Sequence, residues 1–186
     1  MDLHGVVSLP SPFPELPGTV RLLDPPADVP PDIAQRLLDR RYTRPYLIDS
    51  TDRRYLLFNL DFIQSEMRLT DPLAIDTLYV QRMLAYPLLH TRVRRALLLG
   101  LGGGSLAKFI LHHFAACTLE AVEASADVLA FRNAFHIPAD STRFTVHCAD
   151  AAEFVCEGTR VRQFAARIVV FRTVPHVTTG FSGHFS

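Results

Sequence analysis

The segment RRALLLGLGGGSLAKFILHHF, Arg94 to Phe114, carries an apolar run through a cluster of glycines into an amphipathic pattern. Glycine lets a backbone approach a ligand closely because no Cβ intervenes, and the first turn of a helix offers unpaired N–H groups to it. Gly100, Gly102, Gly103 and Gly104 fit such a turn between a strand and a helix. The same glycines would also serve tight strand-to-helix packing without any ligand. The next apolar run, LEAVEA, ends in Glu123, about 19 residues beyond Gly104. A carboxylate at the C-terminal end of that strand can accept both hydroxyls of a ribose. A third run, FTVHCAD, ends in Asp150 followed by Ala151. There a carboxylate can accept from the exocyclic amine of an adenine while the neighbouring backbone N–H meets a ring nitrogen. Asp150 could equally cap a helix over AAEFV.

Three consecutive strand ends thus offer a glycine turn, an acid for a ribose and an acid for an adenine, which points to an adenosine compound. Gly102, Gly104 and Ala107 also satisfy G-x-G-x-x-A, so a dinucleotide is the competing ligand. The usual dinucleotide domain opens with its glycine strand, whereas here some ninety residues precede it, and this ranks the dinucleotide second.

The elements that must position these residues follow from periodicity. We expect strands at Ala96 to Leu99, Thr118 to Val122 and over FTVHCAD, with a fourth in ARIVVFR, Ala166 to Arg172. Helices are expected between them, at Ser105 to about Ala116 and Ser125 to Phe135. Strands alternating with helices indicate a parallel sheet covered on its faces. Upstream, Ile75, Leu78, Tyr79 and Met83 recur at helical spacing and predict a helix over 73–91. Tyr46 to Gln64 gives two β-rich runs around Ser50, Thr51 and Asp52, which reads as a hairpin or meander. PDIAQRLLDRR predicts a short helix with proline in its first turn. Most of the prolines fall in residues 8 to 31, which predicts a loop-like or partly disordered segment. The expected organisation is a proline-rich segment over 1–44, a small β element over 45–70 and a nucleoside-binding domain over 71–186.

A chain of 186 residues that is 48% hydrophobic can bury one sizeable core. Its formal net charge is zero, so no global field would gather nucleic acid or an anionic membrane, and neither is expected as a partner. Cys117, Cys148 and Cys156 are odd in number and widely spaced, which fits a reducing compartment, and a cytoplasmic location is expected. No signal peptide is evident and no apolar run approaches roughly 18 residues, so no membrane span is expected.

Taken in order, LDFIQSEMRLTDPLAIDTLYVQRML, LLLGLGGGS, AVEAS and CADAAEF resemble the spermidine synthase (polyamine aminopropyltransferase) family over roughly residues 45 to 155. The resemblance implies an α/β fold, a methyltransferase-like Rossmann domain preceded by a small N-terminal β-hairpin element, and assembly as a homodimer. It implies that Gln64, Gly100, Gly102 and Gly104 hold the methionine-derived part of S-adenosylmethionine or its decarboxylated form, with no metal. By the same resemblance Glu123 grips the ribose, Asp150 and Ala151 hold the adenine, and Tyr79 stands near the cleft for an amine acceptor.

The departures from the family pattern concern charge. Active members carry an aspartate after the glycine motif, where Ser105 follows Gly104 here. Val80 and Gln81 stand where the family has His-Glu, and the acidic run after the glutamine reads Glu66, Met67, Arg68. A polyamine needs carboxylates to replace its hydration, so these changes weaken a putrescine site. The fourth strand should lead to the aspartate that deprotonates the amine, yet IVVFRTVPHVTT holds no acid, and the catalytic residue is left unassigned. After Phe154 the only acid is Glu157 against four arginines, which suggests truncation or a change of reading frame near residues 156 to 166.

Three functions remain open: alkyl transfer from a sulfonium nucleoside to an amine, a non-catalytic nucleoside-binding or scaffold protein, and a dinucleotide-dependent oxidoreductase. Adjacent His112 and His113 point about 100° apart on a helix and make poor joint metal ligands. His147 and Cys148 alternate across a strand, which argues against a shared role. Arg40-Arg41, Arg53-Arg54 and Arg94-Arg95 read as solvated faces.

Overall fold

The computed structural model describes residues 7–89, 93–156 and 170–172. Two sheets organise them. The first is antiparallel, with β1 (Val7–Pro10), β2 (Thr19–Leu22), β3 (Tyr46–Asp49), β4 (Arg53–Asn59) and β5 (Phe62–Arg68) in sequential order. Helix α1 (Ile33–Leu38) lies between β2 and β3 in the chain, and α2 (Leu78–Leu89) leads to the second sheet. That sheet holds β6 (Arg95–Leu99), β7 (Thr118–Glu123), β8 (Phe144–Cys148) and β9 (Val170–Arg172) in the order β8-β7-β6-β9, all pairs parallel. Helices α3 (Ser105–His113), α4 (Ala126–Ala130) and α5 (Ala151–Cys156) follow β6, β7 and β8.

This strand-and-helix alternation is the expected parallel architecture. The buried Ala96, Leu97 and Leu98 of β6 show why its run is continuously apolar, since both faces of a parallel sheet are covered. The elements are shorter than the periodicity implied. Helix α2 begins at Leu78 rather than near 73, α3 ends at His113, and α4 gives way to turns after Ala130. The fourth strand covers Val170–Arg172, and the rest of the expected 166–172 run lies outside the described residues, as does the stretch from 157 to 169.

The first sheet corrects the reading of the N-terminus. The segment expected to be loop-like contributes β1 and β2, and the expected hairpin is three strands of a five-stranded sheet. The reason lies in the pleat of β3 and β4. Leu47 and Leu56 point into the main core with Met67, Leu98 and Ala107, while their neighbours Tyr46, Ile48 and Leu57 point to the other face. That face is covered by Phe13, Val20, Leu22, Ile33 and Leu37, all from the proline-rich region. Pro10 is tolerated because it ends β1, an edge strand, where its missing N–H removes no ladder bond between two partners.

Ion pairs join the antiparallel sheet to the parallel unit. Arg44 reaches Asp127 through Nε at 2.9 Å and Nη2 at 2.8 Å. Arg54 grips Asp49 at 2.6 and 2.8 Å and donates to the Ala134 carbonyl at 2.5 Å. The Arg53-Arg54 pair is therefore not a solvated face: the two side chains are only 26% and 14% exposed and both are paired. No helix among the described residues is long and apolar enough to cross a membrane.

Candidate functional site

Strand β6 ends at Leu99, and Gly100 turns away while donating its N–H to the Val122 carbonyl at 2.7 Å. Gly100, Gly102 and Gly104 have φ of 92°, 52° and 68°, a region that side chains disfavour. The turn is also packed tightly. A Cβ on Gly103 would stand 2.8 Å from Ser65 Cβ and 2.9 Å from the Phe135 ring, and one on Gly104 would stand 2.5 Å from Ile137. Gly103 donates to the Ser65 hydroxyl at 2.8 Å, so β5 of the first sheet is fastened to the turn.

Glu123, at the end of β7, faces the same turn. Its Oε2 accepts the N–H of Leu101 at 3.0 Å and of Gly102 at 3.2 Å, and its Oε1 accepts that of Ser125 at 3.0 Å. One carboxylate thus braces the glycine turn against the start of α4, where the Ser125 side chain in turn accepts from Val128. At the end of β8, Asp150 Oδ1 accepts the N–H groups of Ala152 at 2.7 Å and Glu153 at 3.1 Å. Asp150 is therefore the N-cap of α5, and its second oxygen takes no part in that cap.

Two clefts open around these residues. The larger, about 430 Å³, lies over the C-terminal ends of β6, β7 and β8 and is lined by Gln64, Gly100, Gly102, Glu123, Asp150 and Ala151. In an open parallel sheet this crevice is where ligands bind. The smaller, about 230 Å³, is lined by Tyr79 with Val80, Leu98, Leu101, Glu66 and Ser105. Gln64 and Gly100 border both, so the two clefts meet there. Of the glycines singled out from the sequence, Gly103 and Gly104 line neither: they pack against Ser65, Phe135 and Ile137, and their place is in the packing of the turn.

Sequence reasoning missed the hairpin tip between β4 and β5. Phe58, Asn59 and Phe62 line the larger cleft opposite Glu123 and Asp150. Phe58 is 38% exposed and Phe62 is partly buried, and two phenylalanines flanking a tight turn were the available signal. Glu66 and Thr77, in the smaller cleft, were also missed as a pair: the Thr77 hydroxyl donates to Glu66 Oε1 at 2.8 Å. No group of three or more His, Cys, Asp or Glu side chains suited to a metal occurs among the described residues. His147 instead pairs with Glu120 at 3.0 Å along the sheet.

No protein-family model matches the chain. It is 33% identical to a polyamine aminopropyltransferase of Chromobacterium violaceum over 103 residues, and 31% identical to that of Neisseria meningitidis serogroup A over 104 residues. Each match covers 55% of this chain and 40% of the relative, so the chain spans about two fifths of the length of the curated relatives it matches. Among solved structures it resembles a probable spermidine synthase from Corynebacterium glutamicum, with a TM-score of 0.50 and 18% identity, over 61% of this chain and 44% of that one. Over the matched residues the chain is similar in sequence to polyamine aminopropyltransferases, and its fold is the methyltransferase-like Rossmann architecture preceded by an antiparallel sheet.

Proposed function

We propose that the larger cleft holds the nucleoside of an S-adenosylmethionine-type co-substrate, and that the chain is a transferase of the spermidine synthase-like kind. One observation carries this reading: the ends of three consecutive parallel strands, marked by Gly100, Glu123 and Asp150, line a single cleft together with Gln64 from the other sheet. Glu123 Oε1 carries one backbone bond, which leaves a second lone-pair direction for a ribose hydroxyl. Asp150 Oδ2 is suited to an adenine amine, with Ala151 beside it, and the Phe58 and Phe62 rings supply apolar surface for the base. A sulfur-bearing tail would then leave the larger cleft past Gln64 and Gly100 into the smaller one.

A sulfonium makes its neighbouring carbon electrophilic. In transfer to an amine, the carbon–sulfur bond breaks as the carbon–nitrogen bond forms, sulfur departs as a neutral thioether and the acceptor gives up a proton. The protein's part is to hold donor and acceptor in line, which the meeting of the two clefts at Gln64 is placed to do. A cytoplasmic homodimer with an amine acceptor belongs to the same proposal.

A second reading, nucleoside binding without transfer, is favoured by a specific observation: Ser105 follows Gly104, and IVVFRTVPHVTT holds no acid to take the proton. Calorimetric titration with S-adenosylmethionine, its decarboxylated form, methylthioadenosine and NAD tests all of these, repeated on Glu123→Gln and Asp150→Asn. Adenosylated sulfur compounds should bind, and the variants should bind them at least tenfold more weakly. Preference for NAD would replace the proposal with a dinucleotide enzyme, binding without turnover would leave the second reading, and binding by none of them would reduce the turn to architecture.

A further inference from the structure

The smaller cleft is an extension of the larger one, and its chemistry is distinct. Its floor is made by Val80, Leu98, Leu101 and Leu106, each less than a tenth exposed, with Ile63 and Tyr79 half-exposed at the mouth. Among its described lining residues Glu66 is the one carboxylate, and both of its oxygens are taken. Oε1 accepts the Thr77 hydroxyl at 2.8 Å and Oε2 accepts Arg53 Nη1 at 3.2 Å. Arg53 also lies 2.9 Å from Asp76, which pairs with Arg68 at 2.6 Å. Asp52, 63% exposed, completes the cluster 3.8 Å from Arg53, so Glu66, the carboxylate that reaches the cleft, is held in a network of three carboxylates and two guanidiniums and presents no unpaired oxygen there. Ser105, at the first position of α3, offers a neutral hydroxyl.

An ammonium entering this space would lose hydration without meeting a carboxylate that is not already paired. An alkyl chain would displace water from an apolar floor. We propose that the smaller cleft takes an uncharged alkyl thioether tail, so that the compounds recognised are 5′-alkylthio-adenosines rather than aminopropyl-bearing nucleosides. The inference rests on the nucleoside reading above and, because a neutral thioether has no sulfonium leaving group to give up, it goes with the second form of that reading, binding without transfer.

The test uses an isosteric pair, 5′-butylthioadenosine and 5′-(3-aminopropylthio)adenosine, titrated at pH 7 against the full chain with adenosine as a third ligand. The butyl compound should bind about tenfold or more tightly than the aminopropyl one. Two variants should narrow that ratio by restoring negative charge: Ser105→Asp, whose new carboxylate faces the cleft from the first turn of α3, and Arg53→Met, which releases Glu66. If either raises the affinity for the aminopropyl compound while leaving adenosine unchanged, the proposed cause is supported. Equal or tighter binding of the aminopropyl compound by the unmodified chain, with adenosine still bound, would overturn this inference and spare the nucleoside reading. No binding by any of the three, adenosine included, would overturn both.

Discussion

Glu123 Oε2 stands 3.0 Å from the amide nitrogen of Leu101 and thereby ties the end of β7 to the glycine turn that follows β6. The residue expected to hold a ribose is first of all a brace, since it accepts N–H groups from Leu101, Gly102 and Ser125. Bracing and binding are compatible: a carboxylate that holds the turn also keeps itself in a fixed orientation toward the cleft.

Replacing Glu123 by alanine should therefore cost stability as well as ligand. Three partly buried N–H groups would lose a charged acceptor, and we expect a loss of roughly 2–4 kcal/mol in urea unfolding. Glu123→Gln, which keeps one carbonyl oxygen, should lose about half as much. Equal stability of the alanine variant and the parent would show that the brace is energetically empty.

Gly104→Ala places a Cβ 2.5 Å from Ile137 on a residue with φ of 68°. The backbone and the clash together should destabilise by about 2–4 kcal/mol. Only the clash is relieved by shrinking the neighbour, so a double-mutant cycle with Ile137→Ala should show a favourable coupling of about 1 kcal/mol. Additive effects would mean that Ile137 does not constrain the turn.

Lys108 on α3 is 4% exposed, and its Nζ lies 2.9 Å from the Phe135 carbonyl and 3.2 Å from the Met67 sulfur. Burial pushes its pKa down to about 8. The unfolded chain then holds the proton more tightly than the folded one, so stability should rise with pH from about 8 to about 10.4 and be flat below that window. Lys108→Met should remove this rise and, by deleting a buried charge, leave the protein at pH 7 no less stable than the parent. Unfolding curves between pH 7 and 10.5 decide it, because a parallel pH dependence in parent and variant would place the charge in contact with solvent.

Arg44 clamps Asp127 by two hydrogen bonds, and these hold the Asp127 carboxyl below the usual carboxylate range. A lowered folded pKa contributes stability above the ordinary aspartate value, lost as pH falls through the folded one. Both side chains are more than a third exposed, so Arg44→Met should cost only about 1 kcal/mol at pH 7. The difference should shrink as pH falls below the ordinary aspartate value of about 3.9 and disappear once the carboxyl is protonated in both proteins. A deficit that persists there would assign the effect to packing between the two sheets.

The parallel unit was legible in the sequence because its causes are local. The apolar run of β6, the glycine turn and the alternation with helices all follow from residues close together in the chain, and the strand-end rule led from there to Glu123, Asp150 and the family resemblance. Gln64 and Tyr79 came from the resemblance alone, and the structure places both on the smaller cleft. The boundaries of α2, α3 and α4 were overdrawn because helical spacing persists in turns that the tertiary structure bends away. What only the tertiary structure decided is non-local. The proline-rich segment became β1 and β2 because Tyr46, Ile48 and Leu57 form a second apolar face that needs covering. Phe58 and Phe62 reached the larger cleft because β5 is fastened to the turn through Ser65 and Gly103, residues 38 apart in the chain. Glu66 lost its availability to Arg53 and Thr77 in the same way. Residue type and spacing state what a side chain can do. Which partners satisfy it depends on contacts between distant segments, and these form only when the sheets pack.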